Sequence, residues 1–212
     1  MDFLPASIAD YGRAHSQHPE PAALLREVAD YTHTHLAMPQ MLTGPWAGAF
    51  LQAITRTLNA RRVIEIGTFS GYSALCMAGG MSDEGHLTTI EYDPHHAAVA
   101  RRFFQQSPFS NRITLMEGDA TALLPGLSGP FDLAFIDADK KNYLQYYAML
   151  KPMMRRGGVM LFDNALWSGA VLAPSDAAAQ GIHTLNETVT RDPEVMNILI
   201  PLRDGIQMVI KQ

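Results

Sequence analysis

The sequence predicts an α/β fold: a doubly wound, mostly parallel sheet of seven strands that ends in an antiparallel hairpin. Three observations lead there. Five short β-branched or apolar runs, 63–66, 87–90, 113–116, 131–136 and 159–162, alternate with stretches of helical periodicity, the pattern of a parallel sheet covered by helices on both faces. The first run breaks into Gly67 and Gly71 with small residues between, a strand-to-helix turn whose free amides and missing side chains let a ligand approach the backbone. The last two runs, 195–200 and 205–210, lie about as far apart as a hairpin requires.

Residues 1–20 are polar and interrupted by Pro5, Gly12 and Pro19, and read as a short helix or docking arm. Pro21 suits a first helical turn, and Leu24, Leu25, Val28 and Tyr31 recur at helical spacing. The segment 38–45 reads as a loop by its prolines and glycine, and a helix over 46–58 leads into the first strand. After the glycine turn come an apolar helix around 74–78, a turn at 82–85 and the second strand, which ends at Glu91. A helix over 94–106 opens on a proline, and the third strand runs into Glu117-Gly118-Asp119. A short helix at 122–124 and a loop at 125–130 precede the fourth strand, which ends at Asp137. A helix over 143–150 follows, then a turn at Gly157-Gly158 with Arg155-Arg156 as a basic helix end, then the fifth strand ending at Asp163. Residues 167–173 read as a loop and 175–191 as a helix.

At 212 residues the chain is long enough for one full core, read here as a single domain with an arm over 1–45 and a core over 46–212. Net charge is −5 and there is no long basic run, which weighs against nucleic-acid binding. The lone Cys76 precludes an internal disulfide and fits a reducing, cytoplasmic setting; it lies in an apolar stretch and reads as core. No secretory signal is expected at the start, and no apolar run is long enough to cross a bilayer.

Glu65, Glu91, Asp119, Asp137 and Asp163 each fall at or just past the carboxyl end of a strand. In an open α/β sheet that edge is where ligands bind, so the acids should share one crevice and repel one another unless a cation joins them. Gly67 and Gly71 do not make a dinucleotide fingerprint, and Glu65 beside the turn would repel a pyrophosphate but attract a cationic ligand. If strands four and five are neighbours, about 4.8 Å apart, Asp137, Asp163 and Asn164 converge. Two carboxylates and an amide oxygen are hard ligands, suited to Mg²⁺, with Ca²⁺ or Mn²⁺ as alternatives. Lys140, three residues past Asp137, is a candidate general base beside such an ion.

The three segments VIEIGTFSGYS (63–73), FIDADKKNY (135–143) and FDNALWSG (162–169) together resemble the cation-dependent O-methyltransferases, the caffeoyl-coenzyme A and catechol O-methyltransferase family. The resemblance implies a Rossmann-like class I methyltransferase fold, S-adenosylmethionine as cofactor, a homodimer and a vicinal-diol phenol as small-molecule acceptor. It implies cofactor contacts from Met41, Thr43, Glu65, Gly67, Ser73, Glu91, Asp119, Ala120, Asp137 and Asp139. It also implies metal ligation by Asp137, Asp163 and Asn164, a base at Lys140, and Trp167 beside the acceptor. Two other readings stay open: methylation of a hydroxylated uridine in tRNA, and a non-catalytic cofactor-binding protein. His33 and His35 are candidates to border the acceptor, His95 and His96 read as solvated, and Met38 and Met41 as core or pocket lining.

Overall fold

In the computed structural model, residues 5–212 are described. Seven strands form one sheet in the order β3-β2-β1-β4-β5-β7-β6. β1 (Arg62–Ile66), β2 (His86–Glu91), β3 (Ile113–Glu117), β4 (Phe131–Ile136) and β5 (Met154–Asp163) run parallel. β6 (Val195–Ile200) and β7 (Ile206–Lys211) form the antiparallel hairpin, with β7 paired to β5 and β6 at the edge. The chain thus reverses its direction of strand addition between β1 and β4, the point outside which open α/β sheets take ligands.

Two hydrophobic layers hold the sheet. Because side chains alternate along a strand, Val63 of β1 points to one face and Ile64 and Ile66 to the other. The first face packs Val63, Leu87, Leu133 and Phe135 against α2 (Ala22–His35), α3 (Gly44–Thr57), α4 (Tyr72–Gly80) and α5 (Pro94–Gln106). The second packs Ile64, Ile136, Met160 and Phe162 against α7 (Tyr143–Leu150) and α8 (Ala177–Arg191). Cys76 is fully buried in the first layer, as a core residue should be. α1 (Ala6–Ala14) and the four-residue α6 (Ala120–Leu123) complete the helices. Among the described residues no helix is long and apolar enough to cross a membrane.

Several boundaries differ from expectation. Gly157-Gly158 is not a turn between elements; both glycines lie inside β5. There the register slips, with Met154 opposite Phe131 and Val159 opposite Leu133. Arg155 is therefore a strand residue and bonds Asp132 of β4 rather than ending a helix. α3 begins at Gly44, two residues early, with Pro45 in its first turn. The loop after β5 winds into 3-10 turns over Trp167–Leu172, and the segment before α3 into another over Pro39–Met41.

Candidate active site

The carboxyl ends of β1, β2, β4 and β5 open into a cavity of about 910 Å³. Its walls include Gly67 and Ser73 from the glycine turn and α4, Glu91 after β2, and Asp119 and Ala120 at the start of α6. They continue through Asp137, Asp139 and Lys140 after β4, and Asp163, Asn164 and Trp167 after β5. Met41 and Thr43 close it from the segment ahead of α3. Of the residues to which the resemblance gives a site role, every one but Glu65 lines this one space.

Glycine is required where β1 ends. Gly67 has φ +94, and a Cβ there would lie 2.5 Å from the carbonyl oxygen of Asp137. The two strand ends meet by backbone, with the Gly67 N–H donating to Ile90 O and the Asp137 N–H to Ile66 O, both at 2.9 Å. A side chain at 67 would push Asp137 out of place.

Glu65 shares its face with Val63, one residue away from the cavity-facing position, so the alternation of the strand sends it under α4 instead. It is fully buried, and Thr89, its neighbour across β2, donates a hydrogen bond to Oε2 at 2.5 Å. Oε1 has no hydrogen-bond partner among the described residues. Burial raises this carboxyl to about 8; the Ser73 and Thr89 hydroxyls pull it down, and Asp137 and Glu91 push it up. Glu65 reaches the cavity only through Ser73, which lines it.

Glu91 holds the glycine turn in shape. Its Oε2 accepts the N–H groups of Thr68 at 2.9 Å and Phe69 at 2.7 Å, and its Oε1 accepts that of Asp93 at 2.9 Å. A carboxylate offers about four lone-pair sites, so Oε2 is saturated and Oε1 keeps capacity for a ligand. Asp119 caps α6, accepting from the N–H and hydroxyl of Thr121 at 2.8 Å each, and these bonds lower its pKa. Asp139 is held on both oxygens, by the Tyr146 hydroxyl at 2.5 Å and the Asn142 amide at 2.6 Å.

β4 and β5 are adjacent, with Ile136 opposite Phe162, so Asp137 and Asp163 leave neighbouring strand ends. Burial, then the charge of Asp137, raises the Asp163 carboxyl to about 6, while Arg203 and Lys140 pull it down. Asp163 Oδ1 accepts the N–H of Asn164 at 2.9 Å, and Asn164 itself takes a left-handed φ of +57. Lys140 Nζ donates to Asp137 Oδ1 at 2.5 Å. Among the described residues no three His, Cys, Asp or Glu side chains gather as a metal-binding group; the set on the cavity wall is two carboxylates and one amide.

Several contributors escape sequence reasoning. Tyr143 donates its hydroxyl to the carbonyls of Ile136 at 3.1 Å and Asp163 at 2.8 Å, pinning together the ends of β4 and β5. Gly181 lets α8 lie against the backbone of Lys140, where a Cβ would meet the carbonyl oxygen at 2.4 Å. His96, expected to be solvated, lines the cavity and packs edge-on against Phe69 at 4.8 Å. Met38 and Met41 are half exposed over the cavity and not core filling. His33 and His35 instead bond the carbonyls of Ala29 and Tyr31 on their own helix, away from the cavity lining. The spacing of Tyr143 and Tyr146 after the Asp137–Asn142 segment, and a lone glycine inside α8, were the signals available.

Known proteins are similar to this chain in sequence and in fold. A family model described as O-methyltransferase matches residues 14–212. Caffeoyl-CoA O-methyltransferase 1 of Eucalyptus globulus is 32% identical over 203 residues, spanning 90% of this chain and 81% of that protein. Catechol O-methyltransferase of Mycobacterium tuberculosis is 41% identical over 142 residues, 66% of this chain and 64% of the relative. The structure of the Bacillus cereus O-methyltransferase in complex with SAH superposes with a TM-score of 0.89 at 28% identity, covering 97% of each chain.

Proposed function

The chain belongs to the O-methyltransferase family, as an S-adenosylmethionine-dependent enzyme, and we propose that it methylates one hydroxyl of a vicinal-diol phenol at a divalent-cation site. The observation that carries this reading is the pairing of Asp163, buried and raised to about 6, with Asp137 on the adjoining strand end. Two carboxylates held together at a cost are stabilised by a divalent ion, and with the Asn164 amide they form an oxygen donor set suited to Mg²⁺, with Ca²⁺ and Mn²⁺ as alternatives. Such an ion would supply positive charge that favours a phenolate over a phenol. Relatives named for caffeoyl-CoA and catechol support the acceptor class.

The cofactor would supply a methyl group on a sulfonium. On the protein side, Glu65 would act from behind Ser73, as a buried carboxyl whose charged form a positive ligand at Ser73 would favour. Glu91 would take ribose hydroxyls through Oε1, the oxygen with spare capacity. Gly67, Asp119, Ala120 and Asp139 would also contribute from the cavity wall, with Met41 and Thr43 covering. Trp167 would flank the acceptor ring.

Lys140 would accept the phenol proton, leaving the acceptor oxygen charged toward the cofactor side of the cavity. An ammonium bonded to Asp137 has no lone pair to accept with, so Lys140 acts as base in the form where the Asp137 charge is claimed by another cation. Tyr143 and Gly181 hold the Lys140 turn against β4, β5 and α8. Opposite charges merge in the reaction, so orientation and exclusion of water contribute more than charge stabilisation. No observation favours the tRNA or non-catalytic alternatives. We further propose a single domain with its arm over 1–45 and core over 46–212, working in the cytoplasm as a homodimer. The exposed Met196 and Ile198 on edge strand β6 support self-association.

The test is transfer of a labelled methyl group to a panel of vicinal-diol phenols, in excess chelator and after Mg²⁺ is restored. Turnover should vanish with chelation and return with the ion. Full turnover in excess chelator contradicts the metal site, and no turnover on any diol contradicts the acceptor class.

A further inference from the structure

We infer that Arg203 is a positioning residue that fastens the loop over the cavity to the acid pair at its floor, an inference that rests on the reading of the cavity just given. Arg203 sits in the turn between β6 and β7 with a left-handed φ of +53. That turn is a rigid base. The Leu166 N–H donates to Asp204 O and the Ala165 N–H to Gly205 O, both at 2.9 Å. The Ser168 N–H donates to the Asp204 carboxylate at 2.7 Å, and Asp204 is itself buried.

From this base the guanidinium crosses to the far side of the cavity. Its Nη1–H donates to the Thr43 carbonyl at 2.7 Å and its Nη2–H to the Leu42 carbonyl at 3.3 Å. Nη1 also lies 3.9 Å from Asp163 Oδ2. A planar fork with fixed donors suits two successive carbonyls beside a carboxylate in a way a lysine does not. Leu42 and Thr43 are buried and follow directly on the 3-10 turn that carries Met41 over the cavity. That turn is short, and its backbone closes through the Met41 N–H to Met38 O and Leu42 N–H to Pro39 O bonds. One side chain therefore touches both the covering loop and Asp163, so a change in charge at the acid pair bears on the hold over the loop, and the reverse.

The test compares wild type, R203G and R203K by amide hydrogen exchange and by calorimetry with S-adenosylhomocysteine. Glycine suits φ +53, so R203G removes the tether and leaves the turn unstrained. In R203G the Met41 and Leu42 amides should exchange about tenfold faster, and affinity for S-adenosylhomocysteine should fall about tenfold, the scale of a lost charged hydrogen bond. R203K, keeping one donor, should fall between. The Gly67 amide, bonded to Ile90 in the sheet, should not change; a loosened fold would speed it equally. Wild-type exchange at Met41 and Leu42 in R203G, or equal acceleration at Gly67, overturns the inference. Failure of the wild type to bind S-adenosylhomocysteine would count against the proposed function, while the exchange comparison still decides the role of Arg203.

Discussion

Replacing Glu91 with glutamine should destabilise the protein by about 2 kcal/mol, although the two side chains are nearly the same size. The carboxylate accepts three backbone N–H groups, two on Oε2 and one on Oε1. Glutamine has one acceptor oxygen. If that oxygen faces Thr68 and Phe69, an NH₂ donor faces the Asp93 N–H; if it turns the other way, two turn amides lose their acceptor. Hydrogen bonds to a charged group contribute about 1.5–3 kcal/mol each, and a stranded buried donor costs about 1–3. The first orientation loses the least, so about 2 kcal/mol is the expected scale, and Glu91→Ala, which loses both acceptor oxygens and all three bonds, should cost about 3–5 kcal/mol. Water entering from the cavity, which Glu91 lines, holds the alanine value to that range. Urea unfolding followed by fluorescence gives the difference from the shift in midpoint at constant m-value. Affinity for S-adenosylhomocysteine should fall in both variants, because the turn they loosen forms the cavity wall. A Glu91→Gln midpoint within about 0.5 kcal/mol of wild type would refute the view that this carboxylate organises the turn.

Glu65→Gln should flatten the pH dependence of stability. The folded carboxyl keeps its proton to about 8 while the unfolded one releases it near 4.5; between those values the folded state binds more protons, so stability falls as pH rises. The contribution is full below 4.5 and lost through 8, at up to about 1.4 kcal/mol per pH unit, and the wild-type minus variant difference in unfolding free energy across pH 5–8 reads it; a difference that rises with pH sinks the assignment. Gly67→Ala should destabilise by about 2–4 kcal/mol, since it adds left-handed strain to a collision with the Asp137 carbonyl, and should abolish methyl transfer; a fully active, stable variant contradicts the close approach. Gly181→Ala should lower turnover by displacing the Lys140 backbone, with unfolding midpoint and kcat measured together to separate local from global loss. Lys140→Ala should reduce kcat by about 10²-fold or more with a smaller change in acceptor KM, and an unaltered pH–rate profile would remove the base role.

The central strands β1, β2, β4 and β5 were legible because their apolar, β-branched runs are buried on both faces. The helix bounds Pro94–Gln106 and Tyr143–Leu150 and the strand bounds Phe131–Ile136 follow from sequence alone. Gly157-Gly158 misled because glycine pairs usually mark turns, and here pairing with β4 both before them, at Met154, and after them, from Val159, carries the strand past. The cavity wall was legible wherever a residue follows directly on a strand, since topology alone delivers Asp137, Asp163 and Asn164 to one edge. Arg203, Gly181 and His96 were not, because α8, the β6–β7 turn and α5 reach the cavity only through tertiary packing. The burial of Glu65 was readable: it shares the parity of Val63, and that places it beneath α4 instead of on the wall.

Five acids end at one edge of the sheet, where they would repel one another if nothing met their charge. Each of the five is already accommodated by the chain itself. Three amides satisfy Glu91, a helix start satisfies Asp119, and Lys140 satisfies Asp137. Asp163 has the Asn164 amide and Arg203, and Glu65 has Thr89 together with a proton held to about pH 8. What remains for a ligand is specific: one spare face of Glu91, and an acid pair whose present counter-ions, Lys140 and Arg203, both have other partners to turn to. A divalent ion would not enter a site of bare negative charge. It would replace Lys140, freeing that amine near the acceptor, and Arg203, leaving that guanidinium to the loop carbonyls. If so, the two cations should respond together: Lys140→Arg, whose planar fork holds the Asp137 carboxylate more firmly than an amine does, should bind the ion weakly while its loop exchange stays at the wild-type rate without metal. Calorimetry with Mg²⁺ alone measures the first and amide exchange at Leu42 the second, and tight ion binding in such a variant would show that Lys140 does not have to move.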